Sequence, residues 1–385
     1  AEMARGKSSE VNRALRAAQK AFLGWSATSV IKRAEILREA VWLIQKRENE
    51  LAAIVALESG KSKKSSLAEV DAAIECGFFF AGEGRRYGGE ILPSATPNRR
   101  VFMIRQPAGI GALITPFNNP AAGIAWKLFP ALLCGNTVVI KSHEHTPYVA
   151  MWFAKIFKEA GLSTGVISVM QGLGSEVGAT LVGDRRVEFV SFTGSVKTGQ
   201  KILKATADRL AKVSIEAGGK NPFVVCDDAD LEKAVSWAVA SAFVDGGQRC
   251  AAASRLIVFE KVYDNFKNLF LEKVKKLKIG IKDTDDYGAI INEERMTAIL
   301  MAVEDAQKRG AKVLTGGKRI PGKGYFMAPT VLENISPKDP LSCEEIFGPV
   351  VILYKVKNIK EAIKLANDSE LKLTGAIHTQ NMGRA

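Results

Sequence analysis

The sequence predicts an α/β protein with mainly parallel sheets and helices crossing between the strands. Three observations lead there. Short apolar runs alternate with helical stretches from Gly109 onward, the pattern that crossovers in a parallel sheet produce. The first eighty-odd residues instead read as helices throughout. Apolar residues make up 47% and charged residues 25% of 385 residues, the balance of a folded chain with room for two or three domains.

At the N-terminus, Ser8 or Ser9 can cap a helix in which Val11, Leu15, Ala18 and Phe22 recur at helical spacing. A longer helix is expected from about Val30 to Ser59, stopped by Gly60. A third runs from about Ser65 to Ala81, with Gly82 and Gly84 just past its end. Near Tyr87 the pattern changes. Gly88, Gly89, Pro93 and Pro97 punctuate two strand-like runs, Glu90 to Leu92 and Arg100 to Arg105, which read as a hairpin standing apart from the helices. Strands follow at Gly111 to Ile114, Thr137 to Ile140, Val166 to Val169 and Val187 to Phe192. A second α/β run has strands at Phe223 to Val225, Leu256 to Phe259, Val350 to Tyr354 and Thr374 to His378. The boundary between the runs is placed near Gly218-Gly219.

The net charge is +13, yet basic residues rarely cluster. A solvated lysine-rich surface is expected, not a nucleic-acid partner. The densest basic stretch, Lys273 to Lys282, reads as an amphipathic helix running into a strand. The best candidate for a membrane span, Ala121 to Leu133, is interrupted by Lys127 and Pro130 and falls short of the ~18 residues required, so no membrane is expected. Ala1 to Lys7 lacks the apolar core of a secretory leader, and the chain does not begin with Met, which reads as a fragment. Five cysteines match no zinc spacing and no full disulfide framework, so reduced thiols in the cytoplasm are expected. Three histidines leave little material for a metal site or a Ser-His-Asp triad, and no metal is expected.

Four places have residue types suited to chemistry. Cys250 follows Asp245-Gly246-Gly247-Gln248-Arg249 and precedes small residues, a turn able to present a thiol, with Arg249 favouring thiolate. A small buried hydrophobe is the bland alternative. Glu216 ends a strand-like run before Gly218-Gly219; partly buried, it would be a general base toward water, and otherwise a turn cap. Asn118 follows a strand, where its amide suits an oxyanion or simply an Asn-Pro turn. Phe192-Thr193-Gly194-Ser195 leads from a strand into a helix that includes Gly199, an arrangement fitted to a phosphate though not the usual G-x-G-x-x-G.

In their order, Pro116 to Pro120, Val139 to Glu144, Phe192 to Ser195, Glu216 to Lys220, Gly247 to Cys250 and Glu344 to Val350 resemble the aldehyde dehydrogenase superfamily, and the likeness runs from about Val11 to the last residue. Glu216 and Cys250 stand 34 residues apart, as in hydrolytic members. The resemblance implies a Rossmann-like cofactor domain (1–86 and 107–217), a bridging oligomerisation hairpin (87–106) and an α/β catalytic domain (218–385), with homodimers or homotetramers. It implies that Cys250 attacks an aldehyde, that Asn118 and the Cys250 N–H hold the oxyanion, and that Glu216 activates water against a thioester. Lys141 and Glu144 would hold the adenosine ribose, Ser195 with Gly194 the pyrophosphate, and Glu345 with Phe347 the nicotinamide ribose. Phe192, Thr193 and Gly199 belong to the same cofactor set, as do Gly172 and Gly174 near the adenine. NAD is preferred because the Glu144 carboxylate repels a 2′-phosphate; Lys141 keeps NADP open.

Three departures from the family pattern stand out. Ala217 and Asn119 replace the usual residues, and the chain stops at Ala385, before elements that complete the catalytic domain. A partial chain, a truncation or an inactive fragment is therefore expected. Arg249 before the cysteine also resembles CoA-acylating semialdehyde dehydrogenases, but Glu216 favours water. A non-catalytic relative would have no reason to keep Cys250, Glu216 and Asn118 together. Arg249 and the basic surface hint at an anionic semialdehyde; a structural pairing of Arg249 is the preferred alternative.

Overall fold

The computed structural model describes residues 3–385. The chain forms two compact units: residues up to 59 with 66–216, and residues 60–65 with 217–385.

The first unit opens with α1 (Ser8–Ala27), α2 (Val30–Lys46), α3 (Glu48–Ser59) and most of α4 (Lys63–Glu83). The hairpin β1 (Glu90–Leu92) and β2 (Val101–Met103) follows. Then come β3 (Ile110–Ile114), α5 (Pro120–Leu133), β4 (Thr137–Lys141), α6 (Pro147–Glu159), β5 (Ile167–Met170), α7 (Ala179–Gly183), β6 (Val187–Gly194), α8 (Val196–Thr206) and β7 (Lys212–Ala217). The sheet order is β5-β4-β3-β6-β7, and the pairs from β5 through β6 are parallel. Successive side chains alternate between faces. Val138 and Ile140 join Leu128, Phe129 and Phe153 on one side, while Val139 and Ala112 join Val11 and Leu15 of α1 on the other. Helices therefore cover both faces of this doubly wound sheet.

The second unit contains β8 (Asn221–Val225), α9 (Leu231–Phe243), β9 (Ala253–Phe259), α10 (Glu260–Lys275), α11 (Glu293–Lys308), β10 (Lys312–Thr315), β11 (Thr330–Glu333), α12 (Pro340–Cys343), β12 (Val350–Val356), α13 (Ile359–Asn367) and β13 (Ala376–His378). Its sheet runs β10-β11-β12-β9-β8-β13, parallel except where β10 meets β11. Phe223, Val225, Leu256 and Val258 face one core, and Val224, Ile257 and Phe259 the other.

The expected α/β class and parallel sheets are present, with local differences. The first helix is capped at Lys7, whose N–H donates to Glu10 at 2.9 Å, so Ser8 and Ser9 lie inside it. The helix expected from Val30 to Ser59 breaks at Arg47, where the backbone leaves helical angles and the N–H donates to the Ile44 carbonyl. Beyond α10 no strand forms near Lys282; Ile279 makes one isolated bridge to Tyr287. Among the described residues, no helix is long and apolar enough to cross a membrane.

Candidate functional site

In the first unit the residues singled out by sequence gather at the carboxyl ends of the parallel strands. Ile114 of β3 pairs in register with Lys141 of β4 on one side and Phe192 of β6 on the other. Lys141 in turn pairs with Met170, which ends β5 just before Gly172-Leu173-Gly174. A crevice outside such strand ends is where open α/β sheets bind ligands.

Asn118 lies in the bend between β3 and α5 and is 6% exposed. The N-terminus of α5 is held by buried Glu69, whose Oε1 accepts from the Ala121 and Ala122 N–H groups at 2.7 and 3.2 Å. Lys141 is buried, and its Nζ donates to Glu144 Oε2 at 2.9 Å. Burial alone would push the Glu144 carboxyl up, but His143 and the Lys141 ammonium bring it below the usual range. Ser195 caps α8 by accepting the Thr198 N–H at 3.3 Å, which leaves it at the helix end where a phosphate would meet free N–H groups. Phe192 is buried, Thr193 and Gly194 finish β6, and Gly174 opens a short π turn. Gly199 has a different position: a Cβ there would stand 3.1 Å from Ile215 Cγ2, so this glycine lets α8 pack closely on β7.

Glu216 is exposed near the end of β7, contrary to the partly buried position the sequence suggested. Its neighbour Lys127 was not recognised as functional. Lys127 is 8% exposed and donates to Ser191 Oγ at 3.1 Å. Burial pushes its ammonium down to about 8, and the nearby Glu216 carboxylate opposes that shift. The sequence did contain a signal: Lys127 interrupts the most apolar helix of the chain.

In the second unit Cys250 is half-buried on the turn between α9 and β9. Buried Asn221, also unrecognised in the sequence, fixes this turn. Its Nδ2 donates to the Cys250 and Ala252 carbonyls at 2.7 and 2.9 Å. Arg249 turns away: its Nη2 donates to the Ala240 and Ser241 carbonyls in the last turn of α9, where a cation also complements the helix dipole. This is the structural pairing expected as the alternative for Arg249.

A small cleft lies beside the cysteine turn, lined by Lys220, Gly247, Arg249, Ser254, Glu345 and Phe347 among others. Glu345 accepts the Gly219 N–H, and a Cβ at Gly218 would fall 1.9 Å from its Oε2. Glycine there is what allows the carboxylate to lie against the chain. Burial raises the Glu345 pKa against the pull of Arg295 and Lys220. Its Oε1 is buried without a hydrogen-bond partner, an acceptor well matched to a sugar hydroxyl. Phe347 follows closely, in the left-handed region at φ 51°. Lys220 is fully buried; burial and then Arg255 push its ammonium down to about 7, against opposing carboxylates led by Glu345.

The arrangement therefore offers a positioned thiol with an orphaned carboxylate oxygen in one unit, and an amide, a carboxylate and a row of aligned strand ends in the other. The model of the Aldehyde dehydrogenase family matches residues 1–385. The D-glyceraldehyde dehydrogenase (NADP(+)) of Picrophilus torridus is 37% identical over 377 residues, covering 97% of this chain and 76% of that protein. The 2,5-dioxopentanoate dehydrogenase of Saccharolobus solfataricus is 40% identical over 371 residues, covering 96% and 78%. The crystal structure of betaine aldehyde dehydrogenase from Staphylococcus aureus in complex with NAD+ matches with a TM-score of 0.97 at 34% identity, covering 100% of this chain and 77% of that one.

Proposed function

The chain belongs to the aldehyde dehydrogenase family, and from that premise we propose that it oxidises an aldehyde to a carboxylic acid with Cys250 as covalent nucleophile and water as acyl acceptor. The observation that supports this reading is the shared cleft: Gly247, Arg249 and Ala252 of the turn bearing Cys250 line the same small cleft as Glu345.

The Cys250 thiolate bonds to the carbonyl carbon, and the carbonyl oxygen becomes an alkoxide. The Asn118 amide and the Cys250 N–H donate to that oxygen; one such donor is worth about 3–4 kcal/mol. Collapse of the alkoxide expels the carbonyl hydrogen with its electron pair and leaves a thioester on Cys250. A nicotinamide cofactor, when bound, supplies the acceptor for that hydride. Glu216 then takes a proton from water, the resulting hydroxide adds to the thioester carbon, and the thiolate leaves as the acid is released. Asn221 holds the Cys250 carbonyl through both halves of the cycle.

Glu345 and Phe347 would hold the nicotinamide ribose of a bound cofactor. Lys141 and Glu144 would hold the adenosine ribose, and the α8 N-terminus at Ser195 the pyrophosphate. The first unit is thus the cofactor domain and the second the catalytic domain. NAD is the preferred cofactor because Glu144 opposes a 2′-phosphate, and NADP is the second, since a relative is named for it. Small polar or anionic aldehydes are the substrate class, in line with relatives named for D-glyceraldehyde and 2,5-dioxopentanoate. The hairpin at 87–106 is the oligomerisation element of a homodimer or homotetramer. Five free cysteines suit a reducing cytoplasm.

The test follows reduced cofactor with NAD or NADP, a panel of such aldehydes, and CoA present or absent. Turnover without CoA, lost in Cys250→Ala, is expected. A strict CoA requirement would overturn water as acceptor, and full activity in Cys250→Ala would overturn the covalent route.

A further inference from the structure

The cysteine turn has a second support, contributed by a distant piece of sequence. Residues 60–65 precede Cys250 by almost two hundred positions yet group with the second unit. The Gly60 carbonyl accepts the Ala289 N–H at 3.0 Å. From there Lys61 runs inward: its side chain is 5% exposed, and Nζ stands 3.5 Å from Asp245 Oδ2, itself on a side chain 9% exposed. Ala289 continues the support, because its carbonyl accepts Gln248 Nε2 at 3.0 Å. The strap therefore reaches the turn on both sides of Gly246-Gly247, directly at Asp245 and through Ala289 at Gln248.

What it holds is a run of left-handed backbone. Asp245, Gly246 and Gly247 are consecutively left-handed, at φ 58°, 62° and 67°. Gly247 must be glycine, since a Cβ would fall 2.2 Å from the Gly348 carbonyl. Aspartate enters this region more readily than most side-chain-bearing residues but less freely than glycine, so its place here depends in part on its surroundings. Asp245 also buries Oδ1 without a hydrogen-bond partner, so the Lys61 ammonium is set against a poorly solvated carboxylate. Removing one partner of a buried pair leaves an uncompensated charge, and the turn has to move to relieve it.

We propose that Lys61 is a positioning residue for Cys250, acting through the buried Asp245 pair on the turn that presents the thiol. The proposal rests on Cys250 being the nucleophile. Its test compares Lys61→Met, Lys61→Arg, Asp245→Asn and the double variant Lys61→Met/Asp245→Asn. The first readout is the rate of iodoacetamide alkylation at Cys250, resolved from the other cysteines by peptide mass spectrometry across roughly pH 6 to 10, where thiols ionise. It needs neither aldehyde nor cofactor. The second is kcat against KM. Lys61→Met is expected to shift the alkylation profile and to lower kcat roughly tenfold to a hundredfold, the cost of a displaced reacting atom, with KM for the cofactor unchanged. Lys61→Arg should recover most of this, and the double variant should be no worse than Lys61→Met, as coupling of a contacting pair requires. A folded Lys61→Met with the wild-type alkylation profile and kcat overturns the proposal. Where Lys61→Met does not fold, Asp245→Asn is decisive, because asparagine keeps the shape and tolerates a left-handed backbone; unchanged alkylation there overturns it equally. Lys61-dependent alkylation in a protein that oxidises no aldehyde would sink the aldehyde reading and leave the positioning role standing.

Discussion

Burying a polar atom without a partner costs about 1–3 kcal/mol, and more for a charged one. Glu345 bears that cost at Oε1. A ribose hydroxyl would remove it, so Glu345→Gln should raise the KM for cofactor by roughly tenfold or more, the worth of a hydrogen bond to a charged group. Initial rates against cofactor concentration check this, and an unchanged KM would take Glu345 out of the cofactor site. Two buried lysines predict a pH dependence of stability. Lys127 and Lys220 ionise at about 8 and about 7 when folded, and near 10.4 when unfolded. Between those values the unfolded chain binds more protons, so stability rises with pH from about 7 toward 10. Above that, buried Tyr287, whose pKa is raised by burial, opposes the trend because the unfolded chain then releases its proton first. Urea midpoints measured from pH 7 to 9 should climb, and Lys127→Met should flatten the climb between pH 8 and 9. Identical slopes would show that Lys127 is charged in the folded protein. Cys250, Glu216 and Asn118 could be nominated from residue type and order, and Glu345 from the family resemblance. Asn221, Lys127, Lys61 and Asp245 could not, because what sets them apart is burial and partners distant in sequence.

Elements were legible where their pattern was local. The hairpin was announced by its glycines and prolines, and its register pairs Glu90 with Met103 and Leu92 with Val101. The strands β10 and β11 went unrecognised. Each has four residues; Lys312–Thr315 is exposed at Lys312 and half-buried after it, whereas Thr330–Glu333 is wholly buried despite its polar ends. Neither shows the alternation that marks a half-buried strand. The hairpin also leads to a prediction, because its apolar side chains are exposed: Ile91 at 75%, Phe102 at 62% and, just beyond β2, Ile104 at 69%. A contiguous apolar surface of this kind marks an interaction site. Phe102→Asp is expected to shift the protein to a smaller species in sedimentation velocity while the far-UV spectrum stays unchanged. An unaltered oligomer would place the interface elsewhere.

At the scale of the whole molecule, the proposed nucleophile Cys250 belongs to the second unit, whereas Asn118 and Glu216 belong to the first. Composition and strand order announced two α/β units, but nothing in the sequence announced that residues 60–65 pack with the second. Residues 60–62 lie between α3 and α4 and residues 63–65 begin α4, and their placement depends on contacts near Asp245 and Ala289 that no local pattern encodes. The division of labour makes the two half-reactions separable. Thioester formation needs Cys250 and an oxyanion donor, and hydrolysis needs a base for water. Glu216→Gln should therefore leave a burst close to one equivalent of reduced cofactor per site and slow the following steady state by roughly a hundredfold or more, the usual share of a general base. Because Glu216 is exposed on β7, this variant should melt at the wild-type temperature, so lost turnover reports chemistry and not folding. Stopped-flow absorbance of the reduced cofactor resolves the two phases. A burst that disappears along with the steady state would move Glu216 to the first half-reaction. A steady state that survives would leave thioester hydrolysis to another base, with Lys127, whose ammonium sits at about 8 beside Glu216, the next residue to test.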